Sequence, residues 1–131
     1  QDQAAATFCR RLVKADGVLD FARPATELSA RINGLFPWPA CTVDVGGQAV
    51  KFGLADAIGA DATEPGMVVG SDAQGLLIAT GQGTLRVHRL QRPGGRMLPA
   101  AEFLRGCPIA AGTRLQSQAM PPLVAREPFR R

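Results

Sequence analysis

Closely spaced glycine turns limit the folds that this sequence can adopt. Gly46-Gly47 separates two stretches of alternating apolar and polar residues, 41–45 and 48–55, and predicts a tight β-hairpin. Further turn signals at 72–75 and 81–83 leave room only for short strands between them. The remaining predicted strands are residues 66–71, 76–80 and 84–90. Five short strands at this spacing favour a small antiparallel barrel over a helical bundle.

The patterns within two of these strands predict which residues are buried. Val50, Phe52 and Leu54 alternate with small or charged neighbours, so we expect all three to face the core. In the fifth strand the apolar residues change face before Leu90. A β-bulge near His88-Arg89 would restore the register.

Helical patterns flank the predicted strands. A helix is predicted at residues 24–34, which begin with a proline that suits a first helical turn and end at a glycine. The apolar stripe of this helix is Ala25, Leu28, Ile32 and Leu35. On another face, Glu27 and Arg31 stand four residues apart in the order that favours an ion pair. A second short helix is predicted at residues 99–105, between Pro99 and Gly106.

A Pro-Trp-Pro segment follows the first helix. Pro37 and Pro39 hold the backbone on both sides of Trp38 extended and stiff, so the segment predicts a structural corner. Trp38 is the only tryptophan, and we expect it to anchor the helix on the residues that follow. Direct stacking of Trp38 on a ligand is the alternative.

Length and cysteine content narrow the class of protein. A chain of 131 residues predicts one domain: a linker at residues 1–10, a barrel at 11–115 and a polar tail at 116–131. No apolar run approaches the roughly 20 residues of a membrane span. The three cysteines are widely spaced, which predicts neither a disulfide framework nor a zinc site. Unpaired thiols fit a reducing cytoplasm.

The charge balance favours an anionic partner. The net charge is +4 and the isoelectric point about 9.6. Most of the cations are arginines, which suit bidentate contacts to phosphate or carboxylate. The candidate phosphate-binding residues are Arg10, Arg11, Lys14, Arg86, Arg89, Arg92 and Arg96. For each of them a solvated surface charge is the alternative.

The sequence shows no pattern of an active site. His88 is the only histidine, and no carboxylate stands near it in sequence. Gly81-Gln82-Gly83 joins two strands rather than a strand and a helix, so it does not form a nucleotide-binding loop. We therefore expect binding, without catalysis by this chain alone and without a metal.

The order of several short motifs resembles the C-terminal domain of methionyl-tRNA formyltransferase. That family's basic strand and Asp-Gly-x-Ile-Asp-Trp motif correspond to residues 11–21, and its Asn-Pro-Trp-Pro motif to residues 36–39. A Gly-x-Gly turn, a basic loop and an Ala-Ala-acid-Phe-Leu helix correspond to residues 81–83, 93–96 and 100–104. The sequence departs from the family at Asn33, where an arginine is frequent, and at Phe36, where the family has asparagine.

The resemblance implies a Greek-key barrel of the oligonucleotide-binding type with one or two short flanking helices. It implies a domain that binds the acceptor arm of initiator methionyl-tRNA beside an N-terminal catalytic domain of the same polypeptide. That catalytic domain would take the formyl group from 10-formyltetrahydrofolate. The resemblance also implies a cytoplasmic monomer acting in translation initiation.

Two other functions stay open at this point. One is a structural barrel of a sugar formyltransferase or of a formyltetrahydrofolate hydrolase or dehydrogenase relative. An apolar patch left exposed around Phe36 and Trp38 would favour it. The other is a stand-alone nucleic-acid-binding barrel, which would normally carry aromatic residues on outward strand positions.

Overall fold

The computed structural model describes residues 14–38, 40–59, 64–118 and 120. Its elements, in chain order, are a short 3-10 helix at Lys14–Gly17, helix α1 at Ala25–Leu35, strands β1 at Cys41–Val45, β2 at Gln48–Ile58, β3 at Val68–Ser71, β4 at Leu76–Ala79, β5 at Thr84–Gln91 and β6 at Leu98–Pro99, and helix α2 at Ala100–Gly106. The predicted α+β architecture, mainly β with two short helices, is therefore confirmed. Within the described ranges, no helix has the length and apolar character that a membrane crossing requires.

The strands form one curled antiparallel sheet in the order β1-β2-β5-β4-β3, with β6 paired to the end of β5. Strands β3, β4 and β5 follow one another as hairpins, and β2 lies beside β5 at the far end of that meander. This is a Greek-key arrangement, since the strand before the meander pairs with its last strand. The predicted small Greek-key barrel is confirmed as a partly open sheet with one additional two-residue strand.

Helix α1 covers one end of the core. All four residues of its predicted apolar stripe are buried, and the helix packs on β2 and β5. The predicted pair between Glu27 and Arg31 is wrong. Arg31 is only 8% exposed and donates from Nε and Nη2 to the main-chain oxygen of Asp16, at 3.2 and 2.9 Å. Glu27 instead accepts from Arg23, one turn earlier.

A double irregularity interrupts the pairing of β2 with β5. Phe52 pairs with Leu90 but Leu54 pairs with Arg89, so Gly53 is an extra residue of β2. The next partners skip His88, which confirms the bulge predicted at this point. The extra glycine turns Leu54 to the outside, where it is 45% exposed. The prediction that Leu54 faces the core is therefore wrong, because strand alternation does not continue through a bulge.

The side-chain amide of Asn33 holds the strand beyond this irregularity. Its Nδ2 donates to the main-chain oxygen of Ala55 at 2.8 Å, and its Oδ1 accepts from the Ala55 N–H at 2.9 Å. The amide therefore pairs with β2 as a neighbouring strand would. At the position where the resembling family often has a cation, this chain carries a link between helix and sheet.

The C-terminal part of the described chain returns to the sheet and to the first segment. Residues 112–115 form main-chain hydrogen bonds with Gly66 and Val68, and Arg114 forms an isolated bridge with Met67. The segment predicted to be extended at 111–115 is therefore a turn at residues 111 and 112 and pairs as a strand only at that bridge. Farther on, Ser117 Oγ accepts from the Phe21 N–H at 2.9 Å. The domain boundaries given above stay a prediction.

Candidate nucleic-acid interface

A groove crosses one end of the outer sheet face. Lys51 of β2 pairs with Thr42 of β1 on one side and with Gln91 of β5 on the other. Trp38 stands three residues before β1, and Arg92 directly follows β5. The start of β1 and the end of β5 lie level with residues 52 and 51 of β2, which brings Trp38 and Arg92 close to the row Thr42–Lys51–Gln91.

We call this concavity the Trp38 groove. Its volume is about 650 Å³. Its lining residues are Gly17, Val18, Trp38, Thr42, Asp44, Ala49, Lys51, Gln91, Arg92, Pro93, Gly94 and Gln118. The groove therefore joins one large aromatic ring, two cations and several amide or hydroxyl groups.

The loop that carries Arg92 is fixed by local hydrogen bonds. Gln91 Nε2 donates to the Gly95 oxygen at 2.8 Å, and the Gly95 N–H donates to the Arg92 oxygen at 2.9 Å. The stem of Arg92 lies over Gly95, where the Cβ atom of any other residue would come within 3.1 Å of Arg92 Cγ. A glycine at this position therefore leaves room for the arginine side chain.

The cations of the groove are available to a ligand. Within the described ranges, neither Lys51 nor Arg92 has a carboxylate partner within ion-pair distance. The carboxylate of Asp44 accepts from the Gly47 N–H at 3.0 Å, so it is used in the hairpin turn. The groove thus offers an anion two unpaired positive charges, with the one negative charge of Asp44 held at the hairpin turn.

A second polar cluster lies farther along the same strands. Arg86 binds Asp56 through two hydrogen bonds, at 3.0 and 2.8 Å, and approaches Asp72 at 3.4 Å. His88 Nε2 lies 3.0 Å from Asp56 Oδ1, and its Nδ1 lies 2.9 Å from the oxygen of Gln74. The hydrogen bond from Arg86 holds the pKa of Asp56 below its usual value; burial opposes this shift, and the hydrogen bond from His88 adds to it.

The predicted phosphate-binding residues fall into separate groups. Arg10 and Arg11 lie outside the described residues, and of Lys14 only the backbone is described. Arg86 is engaged by two carboxylates, whereas the exposed Arg89, Arg92 and Arg96 have no ion pair within the described part of the chain. Of these, only Arg92 lines the Trp38 groove.

The Pro-Trp-Pro segment lies at the surface. Trp38 is 60% exposed and Phe36 41% exposed, so the indole does not anchor α1 in the core as expected. Pro37 is exposed, and Pro39 lies outside the described residues. The corner is therefore a surface feature of the described fold, and the exposed aromatic pair is the patch that would favour the structural alternative.

Sequence reasoning missed Lys51 and Asp56 as members of these two clusters. Lys51 is a single lysine in a strand, and Asp56 stands 30 residues before Arg86. The strand register alone brings each of them to its partners. A search for carboxylates on the strand paired with that of His88 would have found Asp56, because antiparallel partners lie about 5 Å apart.

The described residues contain no cluster of three His, Cys, Asp or Glu side chains that could hold a metal ion. Cys41 is buried in the core and Cys107 is half-buried. Burial raises the pKa of the Cys41 thiol to about 12, so it is a poor nucleophile at neutral pH.

Comparison with known families identifies the family of this chain. Residues 11–108 match the family model of the formyl transferase C-terminal domain. The chain belongs to this family. The match covers the first segment, α1, the whole sheet and α2, and it ends one residue beyond Cys107.

Curated relatives of this domain are methionyl-tRNA formyltransferases. The protein of that name from Ralstonia nicotianae is 40% identical over 116 residues, covering 86% of this chain and 35% of the relative. The one from Burkholderia thailandensis is 42% identical over 110 residues, covering 82% of this chain and 33% of the relative. The chain thus spans about a third of the length of these relatives.

A solved structure shares the fold at low sequence identity. HypX from Aquifex aeolicus, crystallised in complex with tetrahydrofolic acid, superposes with a TM-score of 0.61 at 18% identity. The superposition covers 72% of this chain and 17% of HypX. At this identity the likeness concerns the fold alone.

Proposed function

We propose that this chain is the tRNA-binding, non-catalytic C-terminal domain of a methionyl-tRNA formyltransferase. The whole enzyme would act in the cytoplasm and transfer a formyl group from 10-formyltetrahydrofolate to initiator methionyl-tRNA. The folate and the catalytic residues would belong to an N-terminal domain of the same polypeptide. Two relatives of that name, at 40% and 42% identity, support this assignment.

The observation that carries the proposal is a set of three exposed arginines and one half-buried lysine without carboxylate partners in the described residues. Arg89, Arg92 and Arg96 lie along the end of β5 and the loop after it, and Lys51 lies on the neighbouring strand. An RNA backbone binds such groups through its phosphates and releases counterions as it does so. In this proposal Arg10, Arg11 and Lys14 add a second set of phosphate contacts. Arg86 stabilises the sheet through its ion pairs with Asp56 and Asp72.

The test is binding of the 131-residue chain to initiator tRNA across a salt series. We expect saturable binding whose logarithm falls linearly with the logarithm of salt concentration. Arg92→Ala and Arg96→Ala should each weaken binding and reduce the slope by roughly 0.7 to 0.9. Arg10→Glu combined with Arg11→Glu should weaken it further.

Arg23→Ala is the matched control. It removes the same charge from an exposed arginine that is already paired with Glu27 of α1, at 2.9 Å. If this variant changed the salt slope as much as Arg92→Ala, the effect would come from net charge and not from a phosphate contact. Absence of binding at low salt would contradict a tRNA-binding role for this domain.

A structural barrel of another formyl-transferring enzyme is the second candidate. The exposure of Phe36 and Trp38 favours it, because apolar surface of this kind is suited to packing against a catalytic domain. This function predicts that neither tRNA nor other RNA binds. It also predicts that Trp38 becomes inaccessible to quenchers in the longer polypeptide.

A further inference from the structure

The aromatic ring of the Trp38 groove has no role in a purely electrostatic contact with phosphates. Trp38 is 60% exposed although it is the largest apolar side chain of the protein. It lines the same groove as Lys51, Arg92 and Gln118. This combination of an exposed ring and adjacent cations suits a ligand that is both flat and anionic.

We propose that the Trp38 groove binds an unpaired nucleotide of RNA. The base stacks on the indole of Trp38, while Lys51 and Arg92 contact the phosphates on either side of it. Aromatic rings next to cationic grooves bind single-stranded RNA in this way, since every base offers a flat π face. The inference rests on the proposed function and adds to it an unpaired base as the feature that the domain binds.

The arrangement of the sheet supports this division of roles. Trp38 precedes β1 and Arg92 follows β5, and these two strands pair with β2 on either side of Lys51. Lys51 lies between them in the same row as Thr42 and Gln91. A backbone that crosses the strands from Trp38 to Arg92 would meet both cations in turn.

The charges of the groove favour RNA over a protein partner. Cores of protein interfaces are depleted in charged residues, and lysine is among the most depleted. Here Lys51 lies inside the groove, and Asp44, the carboxylate of the groove lining, is engaged by the Gly47 N–H. A protein partner would have to remove both cations and the Asp44 carboxylate from water, and the described residues form no ion pair among these three.

The test uses the intrinsic fluorescence of the chain, which reports Trp38 alone because the sequence has one tryptophan and no tyrosine. The probes are a 12-nucleotide single-stranded oligoadenylate, an RNA duplex of the same length and initiator tRNA. We expect the single strand and the tRNA to quench the emission and to protect Trp38 from acrylamide. The duplex should do neither, because its bases are already stacked.

Three variants assign the effect to the ring. Trp38→Ala should weaken binding of the single strand by about 5- to 150-fold, the range that stacking of one base on an aromatic ring gives. Trp38→Phe keeps an aromatic face and should recover most of that loss, as measured by fluorescence anisotropy of a labelled strand. Phe36→Ala, which removes an exposed ring outside the groove lining, should leave binding unchanged. Far-UV circular dichroism checks that each variant is folded.

The outcomes separate this inference from the proposed function. Salt-dependent tRNA binding without quenching, and with full affinity in Trp38→Ala, would overturn the base site and leave the tRNA-binding role intact. Quenching by oligoadenylate without tRNA binding would support the base site and contradict the tRNA-binding role. The emission of Trp38 could also stay unchanged with every RNA while its quenching by acrylamide decreases as the protein concentration rises. That result would overturn the inference and indicate that a second copy of the chain covers the groove.

Discussion

Replacing Asn33 with alanine should destabilise the domain by about 1.5 kcal/mol, because the amide of Asn33 holds β2 beside its irregularity. Two hydrogen bonds to the main chain of Ala55 would be lost, each with a net value of about 1 kcal/mol. Asn33 is exposed but Ala55 is only 4% exposed, so water replaces these bonds only in part. The higher helix propensity of alanine offsets the loss by roughly 0.6 kcal/mol.

The assay is urea unfolding followed by far-UV circular dichroism, since Trp38 is too exposed to give a large fluorescence change. With an unfolding entropy of about 2.1 cal/mol/K per residue, a loss of ~1.5 kcal/mol lowers Tm by about 5 °C. Thr26→Ala is the matched control, because Thr26 is an exposed residue of the same helix. It should change stability by less than about 0.5 kcal/mol.

Asn33→Asp tests the geometry of the same contact. At neutral pH the carboxylate can still accept from the Ala55 N–H but cannot donate to the Ala55 oxygen. The loss in free energy of unfolding relative to the unsubstituted chain should therefore shrink as the pH falls below about 4, where the protonated acid can donate again. Equal unfolding midpoints for Asn33→Ala and Thr26→Ala would refute the role given to the amide.

Three other predictions follow from the core and from the charge cluster. Leu28→Ala should cost about 2–5 kcal/mol in urea unfolding, because Leu28 is 0% exposed under the sheet. Iodoacetamide at pH 8 should modify Cys107 before Cys41, because burial raises the pKa of the Cys41 thiol to about 12. Peptide mass spectrometry locates the label, and rapid labelling of Cys41 in the folded chain would contradict its buried position. The hydrogen bond from Arg86 lowers the pKa of Asp56 in the folded state. The ionised Asp56 therefore stabilises the fold above its unfolded pKa of about 3.9, and this stabilisation is lost as the pH falls through the lower folded pKa. Asp56→Asn should therefore show a flatter decline of Tm between about pH 5 and 2, and a decline as steep as that of the unsubstituted chain would count against the ion pair.

Most of the fold follows from local patterns in the sequence. The apolar stripe of α1, the Gly46-Gly47 hairpin and the short strands after it depend on residue spacing and on turns that glycine permits. The bulge near His88 was also predictable, because a strand that changes face must contain an extra residue. What the alternation could not predict was the second irregularity at Gly53, which reverses the orientation of Leu54.

The candidate site was predictable only in part. The sequence marked Arg92 as a cation near the end of a strand and Trp38 as an exceptional residue. The prediction that Trp38 anchors α1 was wrong, because the residues around Pro37 do not show whether a large ring packs in the core or stays at the surface. Lys51 stayed unnoticed, because a single lysine in a strand is usually only a solvated charge.

The sequence by itself determined the helices, the strands and the basic character of this protein, since each depends on residues close together along the chain. The tertiary structure decided which charges are used within the fold and which are left for a ligand. Arg86 meets Asp56 because β2 and β5 pair, 30 residues apart in sequence, and Arg31 is buried against Asp16. Arg92 and Lys51 meet no carboxylate in the described fold, and the same strand pairing places them beside an exposed tryptophan. Such assignments depend on strand register and long-range packing, which local residue patterns do not specify.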